Sequence, residues 1–128
     1  KAQTFGGVLK ITRHPFLWGV TLWASFHLLT NGDVASVVFF GTFAVVAFLG
    51  TFSIDVKRRR ALGDKWNVFS AATSNVPFLA MIGGRSSGSL AEIGAFRVIA
   101  AFAVFGVLLF GHAWALGASP FPSGWVPF

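Results

Sequence analysis

Three long apolar runs, separated by charged or turn-forming stretches, organise this chain. The first covers residues 15–30, interrupted by Thr21, Ser25 and His27. The second, 34–54, is the clearest, and the third, 96–117, is entered from Glu92 and Arg97. A helix crosses the roughly 30 Å hydrocarbon core of a bilayer with about 20 mostly apolar residues, so the pattern predicts three transmembrane helices. Asn31-Gly32-Asp33 predicts a tight turn that makes an antiparallel hairpin of the first two. Pro15 suits a first helical turn, with Thr12 just before it as the expected cap.

The connector, residues 55–95, is less regular. Asp55-Val56-Lys57-Arg58-Arg59-Arg60 reads as the second helix continuing into water. Trp66 and Phe69 lead to an apolar patch at 76–82, broken by Pro77. That patch is too short to span, which predicts an interfacial or re-entrant segment. Residues 83–88 form a glycine- and serine-rich loop, and Phe121, Trp125 and Phe128 among three prolines read as an aromatic anchor. The predicted fold class is an all-α integral membrane protein, a single domain over 1–128, with about three spans plus this connector and a place in a larger bundle.

Composition strengthens the membrane reading. Charged residues are 11% of the 128, against roughly 25% in soluble proteins, while hydrophobic residues are 55%. A small soluble domain leaves much of its surface exposed, and here there is too little polar material to cover it. The lipid bilayer is therefore an expected partner. The net charge of +6 does not imply nucleic acid, because the basic residues flank the apolar runs. Lys1, Lys10 and Arg13 precede the first, Lys57–Arg60 and Lys65 follow the second, and Arg85 and Arg97 precede the third. Positive charge collects on the cytoplasmic side, which puts the Asn31–Asp33 turn and the C-terminus on the other. The chain opens on Lys1 with no signal-peptide pattern, so it is expected to begin partway along its gene product.

Cysteine is absent, which excludes disulfides, thiolate metal sites and cysteine nucleophiles. Candidate chemistry rests on the histidines. His27 and His112 lie at matching depth near the far ends of the first and third spans. Ligating groups inside a membrane are costly and tend to face a bundle interior with a function. Two imidazoles at one depth suit a metal or haem, or alternatively a hydrogen bond between helices. Trp23 and Ala24 would shape a pocket beside His27, and Phe105 and Leu108 share the His112 face. At the opposite end, Arg13 and His14 suit a phosphate, carboxylate or lipid headgroup. Asp55 is placed to pair with Arg13, Arg58 or Arg59 and pin two helix ends together, and Arg85 would reach Asp55 or a lipid phosphate. Asp33, Asp55, Asp64 and Glu92 are scattered and form no catalytic carboxylate pair.

The string Ile11-Thr12-Arg13-His14-Pro15 with Trp23 and His27 resembles the NnrU family, which includes plant 15-cis-ζ-carotene isomerase. The similarity runs on through Asp55, Lys57-Arg58, Gly63-Asp64, Trp66, Thr73-Ser74, Pro77-Phe78 and Gly84-Arg85 to His112 and Gly117-Ala118-Ser119. The resemblance implies a bacterial inner-membrane protein that binds haem b through histidine. Its role would be cis–trans isomerisation of a carotenoid or nitrogen-oxide respiration. One isomerase ligand falls on His27, and the other belongs to N-terminal helices absent from this sequence, which corresponds to the C-terminal portion of the family pattern. Its place would then be taken by His112 or by a residue outside this chain. The isomerase branch also carries a cysteine near this ligand. Here that turn reads Trp23-Ala24-Ser25-Phe26, so no ligand switch through cysteine operates. Two other readings stay open: a non-catalytic subunit packed among other membrane proteins, and a membrane methyltransferase using S-adenosylmethionine at Arg13-His14.

Overall fold

The structure is a computed structural model and describes residues 5–86 and 90–121. Lys1, residues 87–89 and the end of the aromatic tail, including Trp125 and Phe128, lie outside the described residues. Every regular element among those described is helical: α1 (Pro15–Thr30), α2 (Val34–Leu62), α3 (Asp64–Ala72), α4 (Leu79–Ile82) and α5 (Ala95–Leu116), with single 3-10 turns at Gly7–Lys10 and Leu90–Ile93.

The chain divides into two compact units, Lys1–Glu92 and Ile93–Phe128. In the first, α1 and α2 form an antiparallel hairpin whose register is set by side-chain pairs. Leu17 lies against Gly50, where a Cβ would sit 3.7 Å from the leucine. Trp18 meets Phe48 edge-on at 5.8 Å, and Trp23 meets Phe40 at 5.3 Å and Phe43 at 6.0 Å. Thr21, Ala24, Ala47 and Thr51 are the buried residues of the two helices. Small side chains let helix backbones approach closely, and the hydroxyls of Thr21 and Thr51 are satisfied by the carbonyls of Leu17 and Phe48.

Asp33 begins α2 by accepting the Ser36 amide at 2.9 Å, which satisfies a donor that the first helical turn leaves open. The helix then runs unbroken through the basic stretch to Leu62, for 29 residues. Gly63, at φ 51°, ends α2 and starts α3. That left-handed conformation favours glycine.

Two helices, Val34–Leu62 and Ala95–Leu116, are long and apolar enough to cross a bilayer. The first expected span is a helix of 16 residues, about 24 Å at 1.5 Å per residue. No residue of α5 is buried; Phe96, Phe102, Val107 and Trp114 are each more than 70% exposed. Within the connector, the apolar patch forms a turn followed by the single turn of α4, with Leu79 and Ile82 exposed.

Candidate functional site

The charged and imidazole side chains of the hairpin gather at its two ends. At the charged end, residues 11–14 run alongside 74–78. The Arg13 amide donates to the Ser74 carbonyl at 2.9 Å, and the Phe78 amide to the Ile11 carbonyl at 2.8 Å. Thr12 does not cap α1 as expected. Its hydroxyl donates to the Asn75 carbonyl at 2.6 Å and accepts the His14 amide at 3.2 Å, and His14 holds the N-cap position with no side-chain cap bond. The Asn75 carbonyl also accepts the Trp18 indole N–H at 2.8 Å, so both of its lone pairs are used. Phe78 is the one non-glycine described residue with positive φ, at 65°. For an L-residue this costs roughly 1–2 kcal/mol, and it is held by the bond to Ile11 and by the Ile82 amide donating to its carbonyl.

Asp55 closes this knot from α2. Arg13 donates Nε at 2.9 Å and Nη2 at 2.7 Å to Oδ2, while His14 Nε2 donates to Oδ1 at 2.6 Å. The Asn75 side-chain amide adds a longer contact of 3.4 Å. Arg13 spends Nη1 on the Thr73 carbonyl at 3.3 Å and lies over the Trp66 ring at 5.3 Å. The anion beside Arg13 and His14 is thus the chain's own Asp55. Asp55 pairs with Arg13 and His14, not with Arg58 or Arg59. Arg85 is exposed and does not pair with Asp55; its Nη1 donates to the carbonyls of Ala71 and Thr73 at the end of α3, where a cation complements the helix dipole.

At the opposite end lies His27. Its Nδ1 is 2.8 Å from the Trp23 carbonyl one turn back. The ring stacks on Phe40 at 4.7 Å and 29°, and Trp23 is 5.0 Å away. A shallow apolar groove of about 240 Å³, lined by Phe16, Gly19, Val20 and Trp23, runs along the same stripe of α1 toward His27, at helical spacing. In the second unit, His112 Nδ1 is 2.7 Å from the Ala118 carbonyl.

These contacts sort the three histidines. A carbonyl oxygen only accepts, so Nδ1 of His27 and of His112 must carry the proton, and the neutral ring has its lone pair on Nε2. His14 is the reverse: a carboxylate accepts from Nε2, which puts the neutral lone pair on Nδ1 of a side chain only 3% exposed. Metal-ligating histidines typically donate their other N–H to a carbonyl or carboxylate. His27 and His112 meet this criterion through carbonyls; His14 meets it through a carboxylate, and differs in that its side chain is only 3% exposed.

Sequence reasoning missed Asn75, Trp18 and Phe40. The polar triplet Thr73-Ser74-Asn75 ahead of Pro77 was the available signal for the first, and the hairpin register for the other two. Among the described residues no group of three or more histidine, aspartate or glutamate side chains is placed to hold a metal ion.

Every regular element among the described residues is helical, two helices are long and apolar enough to cross a membrane, and the hairpin carries partly buried charge at one end and imidazole among aromatic rings at the other. The chain belongs to the NnrU family: the family model described as NnrU protein matches residues 1–120, nearly its whole length. No curated protein and no solved structure matches it.

Proposed function

We propose that this NnrU protein is an integral membrane protein that binds haem b through His27. The second ligand would be His112 or a residue outside this chain. The observation that carries the reading is the bond from His27 Nδ1 to the Trp23 carbonyl, because metal-ligating histidines typically give their other N–H to such an acceptor. Phe40 covers a face of the imidazole. Trp23 and the groove of Phe16, Gly19 and Val20 offer an apolar wall that excludes water. When bound, the haem supplies a redox-active iron; Trp23, Phe40 and the Trp23 carbonyl orient its ligand. The activity served is isomerisation of a carotenoid double bond or a step in nitrogen-oxide respiration.

In this reading α1 joins α2 and α5 as a third span, with Pro15 and Thr30 near the two interfaces. The patch at 76–82 lies at the cytoplasmic interface of a bacterial inner membrane, and the C-terminus lies on the far side. The experiment is a haem titration of the detergent-purified chain. A saturable Soret band is expected in wild type and in His14→Ala, and it should be lost in His27→Ala and weakened in His112→Ala. Equal binding by wild type and His27→Ala removes His27 as a ligand.

A second reading is favoured by α5, whose apolar surface has no buried residue: a subunit packed against further membrane helices. Co-purification with another membrane protein in fixed ratio and without haem would select it.

A further inference from the structure

The cations of the charged end divide into two groups. Lys10 pairs with Glu92 at 2.8 Å, Arg13 with Asp55, and Arg85 with helix carbonyls. Lys57, Arg58, Arg59 and Arg60 are all exposed, and none has an ion pair among the described residues. The neighbouring carboxylate, Asp55, is already taken up by Arg13 and His14.

Geometry says what these four side chains are arranged for. Successive residues of an α-helix are turned by about 100°, so four in a row point in four directions and complete the circumference. Lys57–Arg60 therefore form a collar around α2, where a docking patch for a protein would be one-sided. The collar also has a depth. From Val34 to Ile54 the helix rises about 30 Å, the thickness of a hydrocarbon core. Lys57 follows about 4.5 Å later, and the collar itself is about 5 Å tall. If α2 spans as proposed above, the collar falls at the phosphate layer, where headgroups surround a helix on every side.

We propose that Lys57–Arg60 is a binding collar for anionic phospholipid headgroups, selecting lipids such as phosphatidylglycerol over phosphatidylcholine in the shell around the cytoplasmic end of α2. Each cation near an anionic surface contributes roughly 1 kcal/mol, about a fivefold preference, and screening by salt reduces it.

The test reconstitutes the whole chain in phosphatidylcholine bilayers with trace spin-labelled phosphatidylglycerol or phosphatidylcholine, and measures the motionally restricted fraction of each label. In low salt the wild type should enrich phosphatidylglycerol about fivefold. The K57Q/R58Q/R59Q/R60Q variant should fall toward equal association, as should the wild type in high salt. The R58K/R59K/R60K variant should keep the preference, which shows that the Gln variant lost charge and not its fold. Equal association of both labels with wild type, or undiminished enrichment in the Gln variant, overturns the proposal. Stronger competition by inorganic phosphate than by chloride at matched ionic strength also overturns it, in favour of a free-phosphate site. A chain that does not insert into phosphatidylcholine refutes the spanning of α2 and the collar with it, whereas absence of haem leaves the collar standing.

Discussion

The residue that does most for the charged end is Asp55, which neutralises Arg13 and anchors His14 within one carboxylate. Breaking a fully buried ion pair costs about 3–5 kcal/mol and an exposed one about 0.2–1 kcal/mol; this pair lies between, its side chains 13% and 15% exposed. Asp55→Asn should therefore destabilise the hairpin by about 1–3 kcal/mol in detergent, measured by tryptophan fluorescence through a denaturing titration. A loss below about 0.5 kcal/mol, the range of exposed pairs, would show that the pair is ornamental. Trp66 gives a sharper case. It is 1% exposed, yet its indole N–H finds no acceptor among the described residues. An unsatisfied buried donor costs about 1–3 kcal/mol, so Trp66→Phe should be nearly neutral, whereas Trp66→Ala should lose about 3–5 kcal/mol. Equal losses in the same titration would contradict this account of the indole. At this scale the sequence was only partly legible. Arg13, His14 and Asp55 stand out as charges beside apolar runs, but that Asn75 accepts both Thr12 and Trp18 depends on how the connector returns. No local pattern encodes that return.

Among the elements, the hairpin is the best specified. Its helices were readable because the turn residues and apolar runs agree, and α1 is observed over the residues expected, 15–30. The continuation of α2 through the basic stretch was legible too, because lysine and arginine are good helix formers. The short pieces α3 and α4 were not, since a nine-residue helix owes its stability to packing more than to propensity. Ala24, at 0% exposure, has no room for a larger side chain. Ala24→Leu should separate α1 from α2 at a cost of about 1–3 kcal/mol, visible as a red-shifted tryptophan emission and a lower melting temperature. An unchanged melt would mean that the helices are not in close contact there. At the turn, hydrogen bonds from the Ser36 hydroxyl and amide hold the Asp33 carboxyl below its usual range, against a smaller opposing effect of desolvation. The cap is thus fully present above the ordinary aspartate range and lost as pH falls through the lowered value. Protection of the Ser36 amide, its exchange relative to the intrinsic rate at each pH, should fall only in that acidic window in wild type, and should be reduced at every pH in Asp33→Ala. Exchange that ignores both changes would remove Asp33 as the cap.

For the whole molecule, every regular element among the described residues is helical, and two helices are long and apolar enough to cross a membrane. The charged end is a lock of the chain on itself, so the candidate chemistry shifts to His27 and His112, whose Nδ1 atoms are tied to backbone carbonyls. The two histidines were legible as polar exceptions within apolar runs. Their tautomers were not, because those depend on which carbonyl each ring meets. The central claim is that Nε2 of His27 is a haem ligand, and the most direct measurement is the visible spectrum of the detergent-purified chain, oxidised and then dithionite-reduced. We expect a Soret band that sharpens on reduction in wild type and is absent in His27→Ala. A featureless spectrum from a folded, haem-supplied wild type, or an unaltered one in His27→Ala, would contradict the account.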